Sequence, residues 1–209
     1  MTHEIIISGF GGQGVLSMGK ILAYSGLMED KEVTWMPAYG PEQRGGTANV
    51  TVIVSDEPVS SPILSSYDTA IVLNQPSLEK FEKKVKKGGT LIYDGYGINV
   101  PPTRKDIHVY RIDAMDKAAE MNMIKVFNMI VLGGFLKVHP IVTIESVLKA
   151  KKAIRKAFEY SMQGKGSNLV EIVSTCNTNW RMSPDKANKW MEENMVPFYP
   201  LGDLKDMGK

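Results

Sequence analysis

The chain has 209 residues, room for one large domain or two small ones, and its 43% hydrophobic and 23% charged residues are ordinary globular usage. That excludes disordered, collagen-like and disulfide-scaffold classes. Lys plus Arg number 25 and Asp plus Glu 23, so a net charge of +2 gives the whole chain no electrostatic case for binding nucleic acid or an anionic membrane.

The single cysteine, Cys176, permits no intrachain disulfide and cannot alone hold an iron-sulfur cluster or a four-cysteine zinc site. Redox iron, if involved, belongs to another chain. No apolar run approaches the roughly 20 residues of a membrane helix, and MTHEIIISGF shows no basic region or cleavage pattern, so the expectation is a cytoplasmic soluble protein.

Glu4 to Ser8 (EIIIS) is β-branched and ends in glycines, the pattern of a strand buried on both faces. Val15, Leu16, Gly19, Leu22, Ala23 and Leu27 then recur mostly at spacings of three and four, predicting a helix from near Gly12 to before Lys31. Glu32 to Met36 predicts a second strand stopped by Pro37, completing a β-α-β unit. PAYGPEQRGG, from Pro37 to Gly46, must be loop. Thr47 to Val54 predicts a strand, Asp56 to Ser66 a loop and Asp68 to Asn74 another buried strand. Pro76 to Lys87 predicts an amphipathic helix burying Leu78, Phe81 and Val85, after which Gly88 and Gly89 break the chain. Thr90 to Asp94 and Ile107 to Ile112 complete the strands.

Beyond residue 113 the period becomes helical, over Met115 to Val138, Thr143 to Tyr160 and Ser167 to Thr175. Ser183, Pro184 and Asp185 then provide an N-cap and a first-turn proline. The expectation is an α/β fold with a Rossmann-like, mostly parallel sheet flanked by helices, and a C-terminal helical layer. Residues 1–209 read as one domain, with a glycine-turn core at 1–112 and a mainly helical packing layer at 113–209.

Gly9, Gly11 and Gly14 in GFGGQG satisfy G-x-G-x-x-G directly after a strand and opening a helix. In that pattern the first glycine permits a tight turn, the second lets backbone approach a phosphate and the third lets helix pack on strand. Free backbone amides and the helix dipole there favour an anion. A dinucleotide site also wants an acid at the end of the second strand, whereas Glu29, Asp30 and Glu32 lie at or before its start, so NAD is disfavoured. A packing role for these glycines is the competing reading.

Tyr39 to Gly46 follows the second strand and emerges at the same sheet edge as the glycine turn. Arg44, followed by two glycines, has room to grip a carboxylate or phosphate, or it pairs with Glu42 and shapes the loop. His3 on the N-terminal tail, His108 on a late strand and His139 at a helix end show no metal spacing. Cys176 reads as a small apolar residue, and the 13 methionines as core or subunit-interface filling. Lys149, Lys151, Lys152, Arg155 and Lys156 read as a solvated helix face. Asp94-Gly95 lacks the preceding glycine, and Asn122 and Asn128 the adjacency, of a thiamine-diphosphate fingerprint.

GFGGQG, AYGPEQRGGTANVTVIVSDEPVSSP and FNMIVLGGFL, in that order, resemble the gamma subunit of the 2-oxoacid:ferredoxin oxidoreductases over most of residues 4–160. The wording YGPEQRGGTANVTV is nearest the 2-oxoglutarate subclass, with pyruvate, branched-chain and indolepyruvate members still open. The resemblance implies a complex that oxidatively decarboxylates a 2-oxoacid to an acyl-CoA and passes electrons to ferredoxin. It places thiamine diphosphate and iron-sulfur clusters on partner alpha, beta and ferredoxin-like delta subunits. For this chain it implies coenzyme A contacts, which by motif position fall on Gly9, Gly11, Gly12, Gln13, Gly14 and Arg44, together with subunit interface and no activity alone. The tail beyond about residue 165 is not covered. The alternatives are an NAD(P)-dependent Rossmann dehydrogenase and a purely structural assembly subunit.

Overall fold

The computed structural model describes residues 1–40 and 46–150, with Lys186, Lys189 and Glu193 as helical positions beyond them. The chain divides into two compact units, Met1–Val147 and Leu148–Lys209, and the whole described sheet lies in the first. Of the second, the structure describes residues 148–150 as helix and an ion pair between Lys189 and Glu193 at 3.9 Å.

The elements run β1 (Thr2–Phe10), α1 (Val15–Leu27), β2 (Glu32–Tyr39), β3 (Thr47–Ser55), β4 (Tyr67–Val72), α2 (Gln75–Phe81), β5 (Val85–Asp94), β6 (His108–Ile112), α3 (Ala114–Glu120) and α4 (Phe127–Val138). Six strands form one sheet in the order β2-β3-β1-β4-β5-β6. β1, β4, β5 and β6 pair parallel, whereas β3 is antiparallel to both β1 and β2. β1 and β2 therefore point the same way without touching, and the expected β-α-β unit straddles an inserted strand.

Alternation along β1 explains why EIIIS is wholly apolar. Ile5 and Ile7 face one core with α1 and α4, including Met18, Leu22, Val131 and Phe135. Ile6 faces the other, with Leu78 and Phe81 of α2. Helices cover both faces, so a strand in the middle has no polar side to show. α1 comes close to the sheet through Gly19 and Gly26: a Cβ on Gly19 would lie 2.7 Å from Val50 Cγ1, and one on Gly26 2.8 Å from Val33 Cγ2.

Several boundaries differ from the sequence reading for physical reasons. β2 runs through Pro37 to Tyr39, because an edge strand tolerates a residue without an N–H. α2 stops at Phe81, and Val85 is buried as the first residue of β5 after a 3-10 turn at Glu82–Lys84. Gly88 and Gly89 sit inside β5 at an irregularity of its pairing with β4, with Gly88 at φ 75°. The helix expected from Met115 to Val138 is broken by Asn122 at φ 53° and a 3-10 turn at Ile124–Val126. Residues 144–150 are helical, while the remainder of the Thr143–Tyr160 helix, Ser167–Thr175, the Ser183 cap, Cys176 and the lysine run from Lys151 onward lie outside the described residues.

His3 is not on a tail. It is buried in β1 at 6% exposure, Nε2 lying 3.0 Å from Thr69 Oγ1, with its ring centroid 4.7 Å from that of His139 at the end of α4. His139 Nε2 lies 2.9 Å from Thr90 Oγ1. Burial holds the His3 imidazole down at about 4, the facing His139 and Lys86 acting the same way and Asp68 opposing. Burial also lowers His139.

A histidine in the unfolded chain takes up its proton near 6.5, whereas folded His3 does so only near 4. Stability is therefore fully present above about 6.5 and is lost as pH falls toward 4, by about 1.4 kcal/mol per pH unit for one such group. Urea midpoints measured from pH 7.5 to 4.5 are expected to be flat and then fall, and His3→Gln should flatten that fall.

Candidate functional site

β1 must turn into α1 at the carboxyl edge of the sheet, and Gly12 at φ 97° and Gly14 at φ 75° supply conformations that other L-residues rarely adopt. Gln13 fastens this turn from within. Its Oε1 accepts from the Phe10 N–H at 2.6 Å and its Nε2 donates to the Leu73 carbonyl at 3.3 Å, while its own N–H bonds to the Phe10 carbonyl at 3.1 Å. The Gly11 N–H donates to the Gly46 carbonyl at 2.9 Å, binding the turn to the start of β3.

The glycines have different duties from those that the pattern assigns. Gly9 is still β1; a Cβ there would lie 2.6 Å from Gln13 Oε1 and 3.1 Å from Val15 Cγ2, so its smallness makes room for the Gln13 clamp. Gly14 lies under Asn128 of α4, whose side-chain amide occupies the place of a Cβ. Helix-on-strand packing, expected of Gly14, falls to Gly19 and Gly26. Gly12, unlike Gly9 and Gly14, has open space where a Cβ would point, with nothing within 4 Å.

Among the described residues no protein group accepts from the amides of Gly12, Gly14, Val15, Leu16 or Ser17. α1 has no side-chain cap and no acid in its first turn, and α4, whose second residue is Asn128, has neither as well. Among the described residues the positive end of α1 is thus left without an internal counter-charge. A cavity of about 580 Å³ opens there, lined by Phe10, Gly11, Gly12, Gly14, Val15, Leu16, Ser17, Tyr39, Gly40, Gly46, Thr47 and Ala48. Backbone amides in this arrangement can donate to anionic oxygen, and Phe10 and Tyr39, the latter 69% exposed, stand on the cavity wall.

The structure brings Gly11, Gly12 and Gly14 to the cavity and sets Gly9 and Gln13 behind it. Arg44, with Pro41, Glu42, Gln43 and Gly45, lies outside the described residues, although the chain leaves at Gly40 and returns at Gly46, both on the cavity wall. Ser17, Thr47 and Asn128 were missed by spacing arguments; Asn128 lies in the FNMIVLGGFL segment, which singled out the helix but not the residue.

Among the described residues, Glu29, Glu32 and Asp94 lie or are engaged elsewhere. Glu32 pairs with Ser55 at the opposite edge from the glycine turn, and Glu29 Oε1 accepts from the Thr143 N–H at 2.6 Å. No acid lies among Trp35 to Tyr39, where a ribose would need one. Asp94 is buried, and its Oδ1 accepts from the N–H groups of Ala114 and Met115 at 2.9 and 3.2 Å, so it caps α3. Burial raises its pKa, against those two hydrogen bonds. Among the described residues no group of three or more His, Cys, Asp or Glu side chains could hold a metal ion, and no helix is long and apolar enough to cross a membrane.

Fold and turn together define an α/β protein with a glycine turn at the carboxyl edge of its sheet, its outward amides without an acceptor among the described residues. The chain belongs to the pyruvate ferredoxin/flavodoxin oxidoreductase family, whose model matches residues 4–173. It is 34% identical over 153 residues to the 2-oxoglutarate synthase subunit KorC of Methanocaldococcus jannaschii, covering 72% of this chain and 82% of that one. It is 50% identical over 91 residues to the ketoisovalerate oxidoreductase subunit VorA of Methanothermobacter thermautotrophicus, a match that covers 44% of this chain and spans only 19% of that relative's length. Among solved structures it is similar to the gamma subunit of a keto/oxoacid ferredoxin oxidoreductase from Geobacter sulfurreducens, with TM-score 0.61, 28% identity and coverage of 71% and 83%.

Gly14→Ala should destabilise the fold by about 1–3 kcal/mol, from the positive φ and the collision with Asn128. Urea denaturation of Gly14→Ala, Asn128→Ala and the double variant checks this: the double variant should recover the collision part and keep the backbone part.

Proposed function

We propose that this chain is the gamma subunit of a multi-subunit 2-oxoacid:ferredoxin oxidoreductase, acting in the cytoplasm with alpha, beta and ferredoxin-like delta partners. The complex decarboxylates a 2-oxoacid oxidatively, forms an acyl-CoA and passes electrons to ferredoxin. The name of the KorC relative supports 2-oxoglutarate as the substrate. Thiamine diphosphate and the iron-sulfur clusters reside on the partners. In this chain Asp94 is occupied as a helix cap and Cys176 is the only cysteine.

This chain's own part is to receive coenzyme A, or an anionic portion of it, and to supply subunit interface. The observation that carries the reading is the coincidence of five amides lacking an acceptor among the described residues with the cavity wall. Phosphate oxygens accept from such amides and complement the helix dipole, Gly12 leaves the approach open, and Arg44 adds a guanidinium to the same ligand. The packing duties of Gly9 and Gly14 favour a second reading, an assembly subunit that binds no ligand.

Reconstituted complex carrying Gly12→Val or Arg44→Ala separates the two. The Michaelis constant for coenzyme A should rise about tenfold or more, as expected for losing charge-assisted hydrogen bonds, with assembly unchanged by size-exclusion chromatography. An unaltered constant in both variants overturns the ligand reading. NADH titrated into the isolated chain is expected to show no binding.

A further inference from the structure

β2 carries one aromatic side chain to the glycine turn. Val33, Trp35, Pro37 and Tyr39 alternate onto the sheet face that α1 covers, where a Cβ on Gly26 would meet Val33 and one on Gly19 would lie 3.1 Å from Trp35 Nε1. Gly19 also meets Val50, which pairs with Pro37. One helical turn rises about 5.4 Å and two strand residues about 6.6 Å, so the start of α1 stands level with the next pair on that face, Ala48 and Tyr39. Val15, Leu16, Ala48 and Tyr39 all line the cavity.

Tyr39 is not spent on the core. It is 69% exposed, and among the described residues no ring or ammonium packs on it, whereas Trp35 on the same face is half-buried with Lys20 Nζ 5.3 Å from its ring centre. The walls of the cavity are therefore unlike. One presents the amides of Val15, Leu16 and Ser17, which find no acceptor among the described residues, and suits anionic oxygen. The other presents Tyr39 beside Ala48, and suits a flat ring. A nucleotide joins a phosphate to a flat base through one sugar, whereas a pantetheine arm has neither group.

We propose that the cavity holds the nucleotide end of coenzyme A, with the purine stacked on Tyr39 and phosphate oxygens on the amides at the start of α1. The pantetheine arm and its thiol then leave this chain toward the chemistry on the partners. This rests on the ligand reading of the turn.

Tyr39→Ala removes the ring from an exposed position, and Tyr39→Phe keeps it. Calorimetry on the reconstituted complex should show coenzyme A and adenosine 3′,5′-bisphosphate weakened by the same factor in Tyr39→Ala, about tenfold, as expected for a lost base–aromatic stack. Tyr39→Phe should bind both as the unaltered complex does, and size-exclusion chromatography should show both variants assembled. Loss of coenzyme A affinity without loss of the bisphosphate places the arm at Tyr39 and overturns the proposal, as does an unaltered complex that fails to bind the bisphosphate. Failure of Tyr39→Ala to assemble makes Tyr39 a subunit contact and overturns it too. If Gly12→Val weakens coenzyme A and Tyr39→Ala does not, this proposal falls alone; if neither variant does, the ligand reading falls with it.

Discussion

The backbone between Phe10 and Val15 has to reverse from strand to helix without stranding its own polar groups in the core. Gly12 and Gly14 satisfy the geometry and Gln13 satisfies the hydrogen bonds, bonding inward to Phe10 and Leu73. That division leaves the outward amides unmatched among the described residues. A turn stabilised from behind by a side chain can keep its front free for another molecule, whereas a Ser or Asp cap would have consumed the same amides. α1, the cavity and the placement of α4 through Asn128 all follow from that choice.

The pattern of glycines was legible in the sequence; their individual duties were not. G-x-G-x-x-G assigns roles from spacing, but Gly9 makes room for a glutamine and Gly14 for an asparagine whose codon lies far along the chain. Such contacts depend on the path of α4, which periodicity cannot supply. Gly134 in the same helix shows this again, since its missing side chain leaves room for Ile112 at the end of β6.

The strands were readable because EIIIS, TANVTVIV and DTAIVLN are short apolar runs, and buried runs look alike whichever way they point. That likeness hid the antiparallel insertion of β3 between β1 and β2. Pro37 misled for a related reason: a proline ends a central strand but not an edge strand, and edge position belongs to the assembled sheet. The His3–His139 pair was illegible because a residue near the chain start meets the end of α4 only after the sheet forms. The placement of Glu32, by contrast, was legible, since it stands at the end of β2 away from the turn.

Because β3 folds back alongside β2, Tyr39 pairing with Ala48, the two strands follow each other as an antiparallel pair rather than through a crossover. Crossovers are constrained by the helix they must carry, but a hairpin tip can gain or lose residues while both strands keep register. Gly40 and Gly46, where the two strands part, both line the cavity, so its wall is bounded by an antiparallel pair rather than by a crossover. Residues added or removed between two such strands change the rim of the cavity and leave the amide-bearing turn as it is.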